Sequence, residues 1–333
     1  MRFPIQLHLS MMRYLLSNGL HGVKRFPLVL MLEPTHQCNL NCSGCGRIRE
    51  YADSLHRSLS LEECLASVDE AGAPVVTVTG GEPLILSNIG RIIRGIVDRG
   101  KHVFLCTNGT LLKEKLAEFT PDVRLTFNIH LDGFGEAHDR ILGRRGVFES
   151  AVEAIRSAKE KGFRVSTNTT VYKDSDPSNL ARLLDMLHRL DVDGMLVSPA
   201  FDYESVHEDL FLDREEIVRK FNSLSHVFDG RRMISSPIYL EFLSGKRDLR
   251  CTPWGNPTRN PKGWKSPCYL ITDTHYASFE ELMEKTDWDR YESGMDLRCR
   301  NCMVHCGFEP SVVRTVGSHP GDLIKMIRWN LDA

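Results

Sequence analysis

The feature that most constrains the fold of this 333-residue chain is a sixfold alternation of short β-branched runs with longer amphipathic stretches. Strand patterns fall at 28–33, 75–79, 102–106, 124–130, 164–170 and 194–199, and helical patterns near 61–71, 89–99, 111–119, 147–161 and 177–190. Strands separated by helical crossovers run in one direction, so they build a parallel sheet with right-handed connections. Six such units are too few to close an eight-stranded barrel. The expected fold is α/β, a partial (β/α)6 TIM-type barrel with a cysteine-rich C-terminal extension. The chain divides into an N-terminal amphipathic segment at 1–25, the barrel at 26–230 and the extension at 231–333. Ligands of such sheets bind at the C-terminal strand ends, so the site is expected there.

Just beyond the first strand comes Cys38-Asn39-Leu40-Asn41-Cys42-Ser43-Gly44-Cys45. Three thiolates at these spacings can converge on one cube of iron and sulfide, which wants four ligands, so one iron is left open. A zinc site that recruits His36 is the alternative. The second strand runs straight into Gly80-Gly81-Glu82-Pro83. Two glycines at a strand end let the backbone approach a ligand closely. Other strand ends offer Cys106 and Asn108, then His130 and Asp132, then Asn168 and Thr170, and finally Ser198. For His130 a packed histidine, and for Asp132 a turn residue, are the competing readings. His138 and Asp139 are expected in a solvated loop.

The cysteine triad, the Gly-Gly-Glu-Pro segment and the six-unit sheet together resemble the radical S-adenosylmethionine (SAM) superfamily. That resemblance implies a [4Fe-4S] cluster on Cys38, Cys42 and Cys45, with SAM filling the open iron position. It implies that Gly80, Gly81, Glu82 and Pro83 contact the methionyl amino group. Polar groups near the ends of strands four and five would hold the ribose and carboxylate, Asn168 foremost, with Asn108, His130, Asp132, Thr170 and Ser198 as further candidates. One departure stands out: the residue before the third cysteine is usually aromatic and lies over the adenine, whereas here it is Gly44. Space is expected there unless a neighbouring side chain fills it.

Composition limits the partners. The chain is 41% hydrophobic and 26% charged, with 42 basic against 44 acidic residues, so it has no general attraction to nucleic acid and none is expected as partner. Ten cysteines, several bunched at metal-ligand spacing, indicate a reducing cytoplasm rather than a disulfide scaffold. The apolar N-terminus is interrupted by Arg2, His8 and Arg13 and lacks a cleavage site, so it reads as a helix packed on the barrel or one lying on a bilayer. The amphipathic run at 323–329 repeats that character, which makes peripheral contact with the inner membrane face an open reading.

The last third holds Cys251, Cys268, Cys299, Cys302 and Cys306 in a Gly- and Pro-punctuated stretch. An auxiliary iron-sulfur cluster on Cys268, Cys299, Cys302 and Cys306 is the first reading, zinc through His305 the second, and unligated core cysteines the third.

Longer strings, among them 26–34, 42–46, 72–76, 105–108, 251–258 and 302–307, resemble the adenosylhopane synthases of bacterial hopanoid biosynthesis. The similarity implies diploptene, or a similar hydrophobic alkene, as substrate and a low-potential electron donor such as flavodoxin or ferredoxin. It implies that a 5′-deoxyadenosyl radical adds to the terminal alkene carbon and that the resulting carbon radical takes a hydrogen atom. Cys106, at a strand end and in neither metal group, is the expected thiol donor, whereas Cys64 is expected to be packing. Trp254, Trp264 and Phe201 are candidates for a substrate entry surface. Two rival readings remain: a radical enzyme acting on another substrate such as a peptide, and a noncatalytic iron-sulfur or zinc protein on the same scaffold.

Overall fold

The computed structural model describes residues 2–331. Strands β1 (Val29–Thr35), β2 (Val75–Gly80), β3 (His102–Thr107), β4 (Leu125–His130), β5 (Arg164–Val171) and β6 (Gly194–Pro199) follow one another in space as in sequence. Every neighbouring pair among them is parallel. The crossovers carry helices such as Leu61–Ala71, Ile89–Asp98, Val147–Glu160 and Pro177–Arg189. Their ends are set locally: Ser60 and Glu63 form a reciprocal cap at the first, and Asp176 caps the last with Pro177 behind it. This is the expected α/β partial barrel.

The sheet does not stop at β1. The short strands β7 (Thr258–Asn260), β8 (Gly263–Pro267) and β9 (Thr272–Tyr276) extend it to nine, β7 parallel to β1 and the other two antiparallel. The extension is thus stitched to the barrel through its own first strand. Strands of three to five residues, with no apolar alternation, carry too little pattern to be read from sequence.

The two faces of the barrel sheet differ in chemistry. Val76, Val78, Leu105, Phe127, Ile129 and Val165 are buried beneath the helices. The opposite face presents Thr79, Cys106, Asn128, His130, Ser166 and Asn168. A parallel sheet covered on both sides needs its second face filled or used, and a polar one is suited to hold a ligand.

Several expectations change here. The 111–119 pattern forms only a short Leu112–Lys115 helix and a 3-10 turn at Leu116–Glu118, ahead of Pro121. The loop expected at His138 and Asp139 is instead a helix, Glu136–Leu142. His138 is fully buried and its Nδ1 accepts the Asp132 N–H at 3.1 Å. Asp139 accepts the N–H groups of Gly146 at 2.6 Å and Phe148 at 2.9 Å, so neither residue is solvated surface. Trp254 and Trp264 are core residues and cannot form an entry surface; Phe201 is half-buried against Tyr203.

Helix Ile5–Leu20 has no fully buried residue, and Ile5, Leu9, Met12, Leu16 and Leu20 stand exposed along it. Arg164, the first residue of β5, donates to the Arg2 carbonyl at 3.0 Å, and Tyr14 meets Phe26 just before β1. The helix therefore lies by the N-terminal strand ends, opposite the cysteine triad. Phe3 packs on Trp329 of the Pro320–Leu331 helix, joining the two ends of the chain. Among the described residues no helix is long and apolar enough to cross a membrane.

Candidate active site

The loop after β1 gathers Cys38, Cys42 and Cys45, all partly exposed. Burial, with smaller contributions from neighbours that include the Cys45 thiol, pushes Cys38 up to about 11, and burial with the Cys45 and Cys38 thiols pushes Cys42 up still further. Burial is the main cause at both, and iron would take these sulfurs as thiolates. The loop is braced by Arg49, whose guanidinium donates to the carbonyls of Cys42 at 3.1 Å and Cys45 at 2.5 Å. Leu40, Leu142 and Val147 pack beneath it, so the unexpected helix supports the triad.

Two tyrosines press on the same loop. A side-chain carbon at Gly44 would sit 2.6 Å from the Tyr172 ring, and one at Gly46 would sit 2.3 Å from the Tyr203 ring. The space expected at Gly44 is therefore taken by Tyr172, an aromatic supplied from just past β5 instead of from the loop itself. Both phenols are held protonated by burial, with Asp132 the largest further cause at Tyr172; at Tyr203 the Arg47 guanidinium works against that burial.

The Gly-Gly-Glu-Pro segment faces this loop. A Cβ at Gly81 would meet the Gln37 carbonyl oxygen at 1.9 Å, and Gly80 holds φ at +112°. Only glycine allows so close an approach. The Gly81 and Glu82 N–H groups donate to the Thr35 and Gln37 carbonyls at 3.0 and 2.7 Å, tying β2 to the approach of the triad. The Glu82 carboxylate is buried and accepts from Leu84 N–H (3.1 Å), Thr107 Oγ1 (2.8 Å) and Asn108 N–H (2.8 Å). Its side chain is spent on fixing the end of β3, and Pro83 is buried too. Burial lifts the Glu82 carboxyl to about 7.

Asn108 is likewise engaged: its Nδ2 donates to Asn39 Oδ1 at 2.8 Å and its Oδ1 accepts from the Thr110 hydroxyl at 2.6 Å. Ser198 contacts the Tyr239 hydroxyl at 3.2 Å and accepts the His305 N–H at 3.3 Å, which ties β6 to the extension. His130 Nε2 lies 2.7 Å from Asp132 Oδ2; burial opposes a charged ring, but the carboxylate prevails and raises the imidazole. Asp132 Oδ1 accepts the Thr170 N–H at 2.8 Å. Asn168 differs from all of these, because its side-chain oxygen is buried with no donor in the protein. An orphaned acceptor at the end of β5 is what a bound ligand would satisfy.

Cys106 sits on the polar face of β3, beside Asn128, whose Nδ2 donates to its Sγ at 3.4 Å. Burial keeps the thiol protonated to about 11. Cys64 is fully buried in its helix.

The second cysteine group converges on a cavity of about 350 Å³, lined by Cys251, Cys268, Cys299, Cys302 and Cys306. Cys251, left out of the expected ligand set, belongs to the same wall. A single zinc ion would draw its sulfur ligands to about 2.3 Å from one point. Among the described residues no three His, Cys, Asp or Glu side chains gather closely enough for one ion. Five thiols around one cavity are more than a single zinc ion takes. Between the two groups lies Arg47, paired with Glu33 at 3.0 Å and stacked 4.1 Å over the ring of Tyr269. The Tyr269 carbonyl accepts from Arg47 and, at 2.8 Å, from Lys265.

Comparison with known proteins agrees with this geometry. Residues 32–187 match the Radical SAM superfamily and residues 195–326 a domain of unknown function, DUF3463. Fe-coproporphyrin III synthase of Methanosarcina barkeri is 27% identical over 56% of this chain and 48% of its own length, so the chain spans about half of that relative. GTP 3′,8-cyclase of Clostridium perfringens is 28% identical over 72% of this chain and 79% of its own length. The crystal structure of Streptococcus suis SuiB bound to precursor peptide SuiA shares the fold with a TM-score of 0.64 at 15% identity, covering 91% of this chain and 76% of SuiB. Residues 32–187, which carry the three thiols and the glycine loop, form a radical SAM domain, and that superfamily uses a [4Fe-4S] cluster and SAM.

Proposed function

We propose that this radical SAM enzyme joins a 5′-deoxyadenosyl group to the terminal alkene carbon of a hydrophobic substrate such as diploptene. The observation that carries the reading is the Cys106 thiol, alone on the polar barrel face and in neither cysteine group. Cys38, Cys42 and Cys45 would hold the cluster. Asn168 Oδ1 would accept from SAM, and Tyr172 would lie where the loop lacks an aromatic. His130, Asp132, Thr170 and Ser198 would shape the pocket, and Glu82 and Asn108 would fix its walls. When bound, the cluster and SAM supply methionine and a primary carbon radical.

Addition to the alkene leaves a tertiary carbon radical, and Cys106 gives it a hydrogen atom: an S–H bond breaks, a C–H bond forms and a thiyl radical remains. One electron from a low-potential donor such as flavodoxin or ferredoxin, with one proton, restores the thiol. A thiolate has no hydrogen atom to give, so burial that holds Cys106 protonated up to about 11 suits the role.

The test is an anaerobic reaction of reduced protein with SAM and diploptene, read by mass spectrometry of the lipid extract. A product equal to diploptene plus deoxyadenosyl plus hydrogen is expected. 5′-Deoxyadenosine without adduct would overturn the substrate assignment.

A second reading has its own observation. The face carrying Asn128, His130, Ser166, Asn168 and Thr170 is polar, which suits a peptide better than a hydrocarbon, and SuiB is named as binding a precursor peptide. In that case Cys106 would quench a radical on the peptide, and the diploptene assay would be blank.

The second cysteine group would hold an auxiliary iron-sulfur cluster through Cys268, Cys299, Cys302 and Cys306, with Cys251 in the wall. The exposed stripe Ile5, Leu9, Met12, Leu16 and Leu20 would give a cytoplasmic protein peripheral contact with the inner membrane face. Co-sedimentation with anionic vesicles checks this; unchanged binding after removal of residues 1–25 would count against it.

A further inference from the structure

Strands β3, β4 and β5 place Cys106, Asn128 and Ser166 directly opposite one another, in register on one face. The Ser166 hydroxyl donates to Asn128 Oδ1 at 3.0 Å, and Asn128 Nδ2 donates to Cys106 Sγ at 3.4 Å. A side-chain amide has one acceptor end and one donor end. With the oxygen held by the serine, the N–H end can only face the sulfur. The row therefore has a direction, from hydroxyl to amide to thiol.

That direction constrains the thiol. A sulfur accepting an N–H along one line cannot aim its own hydrogen down the same line. The Thr79 hydroxyl of β2 reaches the sulfur from the other side, so with a partner along each strand direction the S–H turns out of the row, toward the barrel interior. Without the amide, the bond would rotate about Cβ–Sγ through several staggered positions, and transfer would wait on the productive one.

We propose that Asn128, oriented by Ser166, is the positioning residue that turns the Cys106 S–H into the barrel interior, where a substrate radical collects its hydrogen atom. The inference rests on the hydrogen-donor role of Cys106, yet its geometry stands without any particular substrate. Asn128 touches only the sulfur and Ser166 only Asn128; neither gives or takes the hydrogen atom. Nothing in the sequence singled them out, because Asn128 lies in mid-strand and Ser166 reads as a small residue in a buried run.

The experiment has one arm that needs no substrate and one that does. In the first, the infrared S–H stretching band of Cys106 is isolated as the difference between the wild-type protein and Cys106→Ala. A narrow band at the position of an S–H that donates to no strong acceptor is expected. Asn128→Asp replaces the amide with a carboxylate that can only accept, so the band should broaden and move to lower frequency. Ser166→Ala, which removes one hydroxyl and is the milder change, should broaden it less. A wild-type band already at the position of a strongly donating S–H, or one that neither variant alters, would overturn the proposal.

In the second arm, single-turnover reactions with diploptene in D2O give the ratio of singly deuterated adduct to free 5′-deoxyadenosine. Asn128→Asp is expected to lower that ratio about 10-fold, since orientation of the reacting bond is what it removes. Ser166→Ala should lower it less. An unchanged ratio in both variants rejects the positioning role. A wild-type protein that makes no adduct rejects the alkene reading instead, and the infrared arm then decides the positioning role by itself.

Discussion

The two cysteine groups of this molecule solve opposite problems. Cys38, Cys42 and Cys45 come from eight consecutive residues, number three, and face a strand end where Asn168 has an unpartnered oxygen. Cys251, Cys268, Cys299, Cys302 and Cys306 are drawn from across the extension, number five, and close around a cavity. A three-thiol site leaves a position for a reactant, whereas a site with thiols to spare leaves none. On the proposed ligand sets, the difference would separate a place for chemistry from a closed cluster site, and Arg47 lies between the two.

The largest effect should separate them outright. Cys42→Ala is expected to lower reductive SAM cleavage by at least about 10³-fold, since the reacting position depends on that corner of the cluster. Cys302→Ala should leave cleavage measurable while bound iron falls by about half, as one of two clusters is lost. Anaerobic 5′-deoxyadenosine assays and iron analysis on the two variants check this. Equal loss of cleavage in both would erase the distinction.

Arg47 tests the joint. Its guanidinium is buried, paired with the buried Glu33 and laid over Tyr269, the neighbour of Cys268. Arg47→Met leaves Glu33 buried without its cation, which should destabilise the protein by about 3–5 kcal/mol. Denaturant unfolding measures the loss. A change below about 1 kcal/mol would mean that Asn260, whose Nδ2 donates to Glu33 at 3.4 Å, and the nearby His36 ring carry Glu33 unaided.

Acid should act on the triad side through His138. This histidine is buried, and burial lowers it from 6.5 to about 4. Its Nδ1 accepts the Asp132 N–H, so the folded protein keeps the ring neutral. Between pH 6.5 and 4 the unfolded chain binds the extra proton and the folded one does not. Stability therefore falls as pH drops through that window, by about 3 kcal/mol for this group once pH is below 4. His138→Gln should flatten that part of the stability profile, and a parallel profile for variant and wild type would remove His138 as the cause.

The contrast between the groups also explains what could be read from the sequence. The triad was legible because a local loop holds all three thiols, and the barrel was legible because buried parallel strands are long and apolar. Tyr172, which fills the space at Gly44, was not legible: it lies over 120 residues away, and only the folded sheet brings it back. Cys251 was read with the other four cysteines but left out of the ligand set, and only the fold shows that it lines the same cavity. At Glu82 the motif gave no sign of what its carboxylate does within the fold, which is to accept from Leu84, Thr107 and Asn108. Strands β7 to β9 and the Glu136–Leu142 helix were too short for periodicity to speak.

The smallest effects compare two glycines, one in each region. A Cβ at Gly44 would meet the Tyr172 ring at 2.6 Å, and one at Gly307 would meet Cys251 Sγ at 2.5 Å. In Gly44→Ala the buried tyrosine must shift, at about 1–3 kcal/mol of strain, and the KM for SAM should rise several-fold while iron content holds. Gly307 lies in the His305–Thr315 helix, where alanine contributes about 1 kcal/mol relative to glycine, so the contact with sulfur and the helix gain nearly offset. With Cys268, Cys299, Cys302 and Cys306 as the ligands, Cys251 can move aside, and Gly307→Ala should keep its full iron content with a melting temperature close to wild type. If iron at the second site falls instead, Cys251 is a ligand and one of the other four is not.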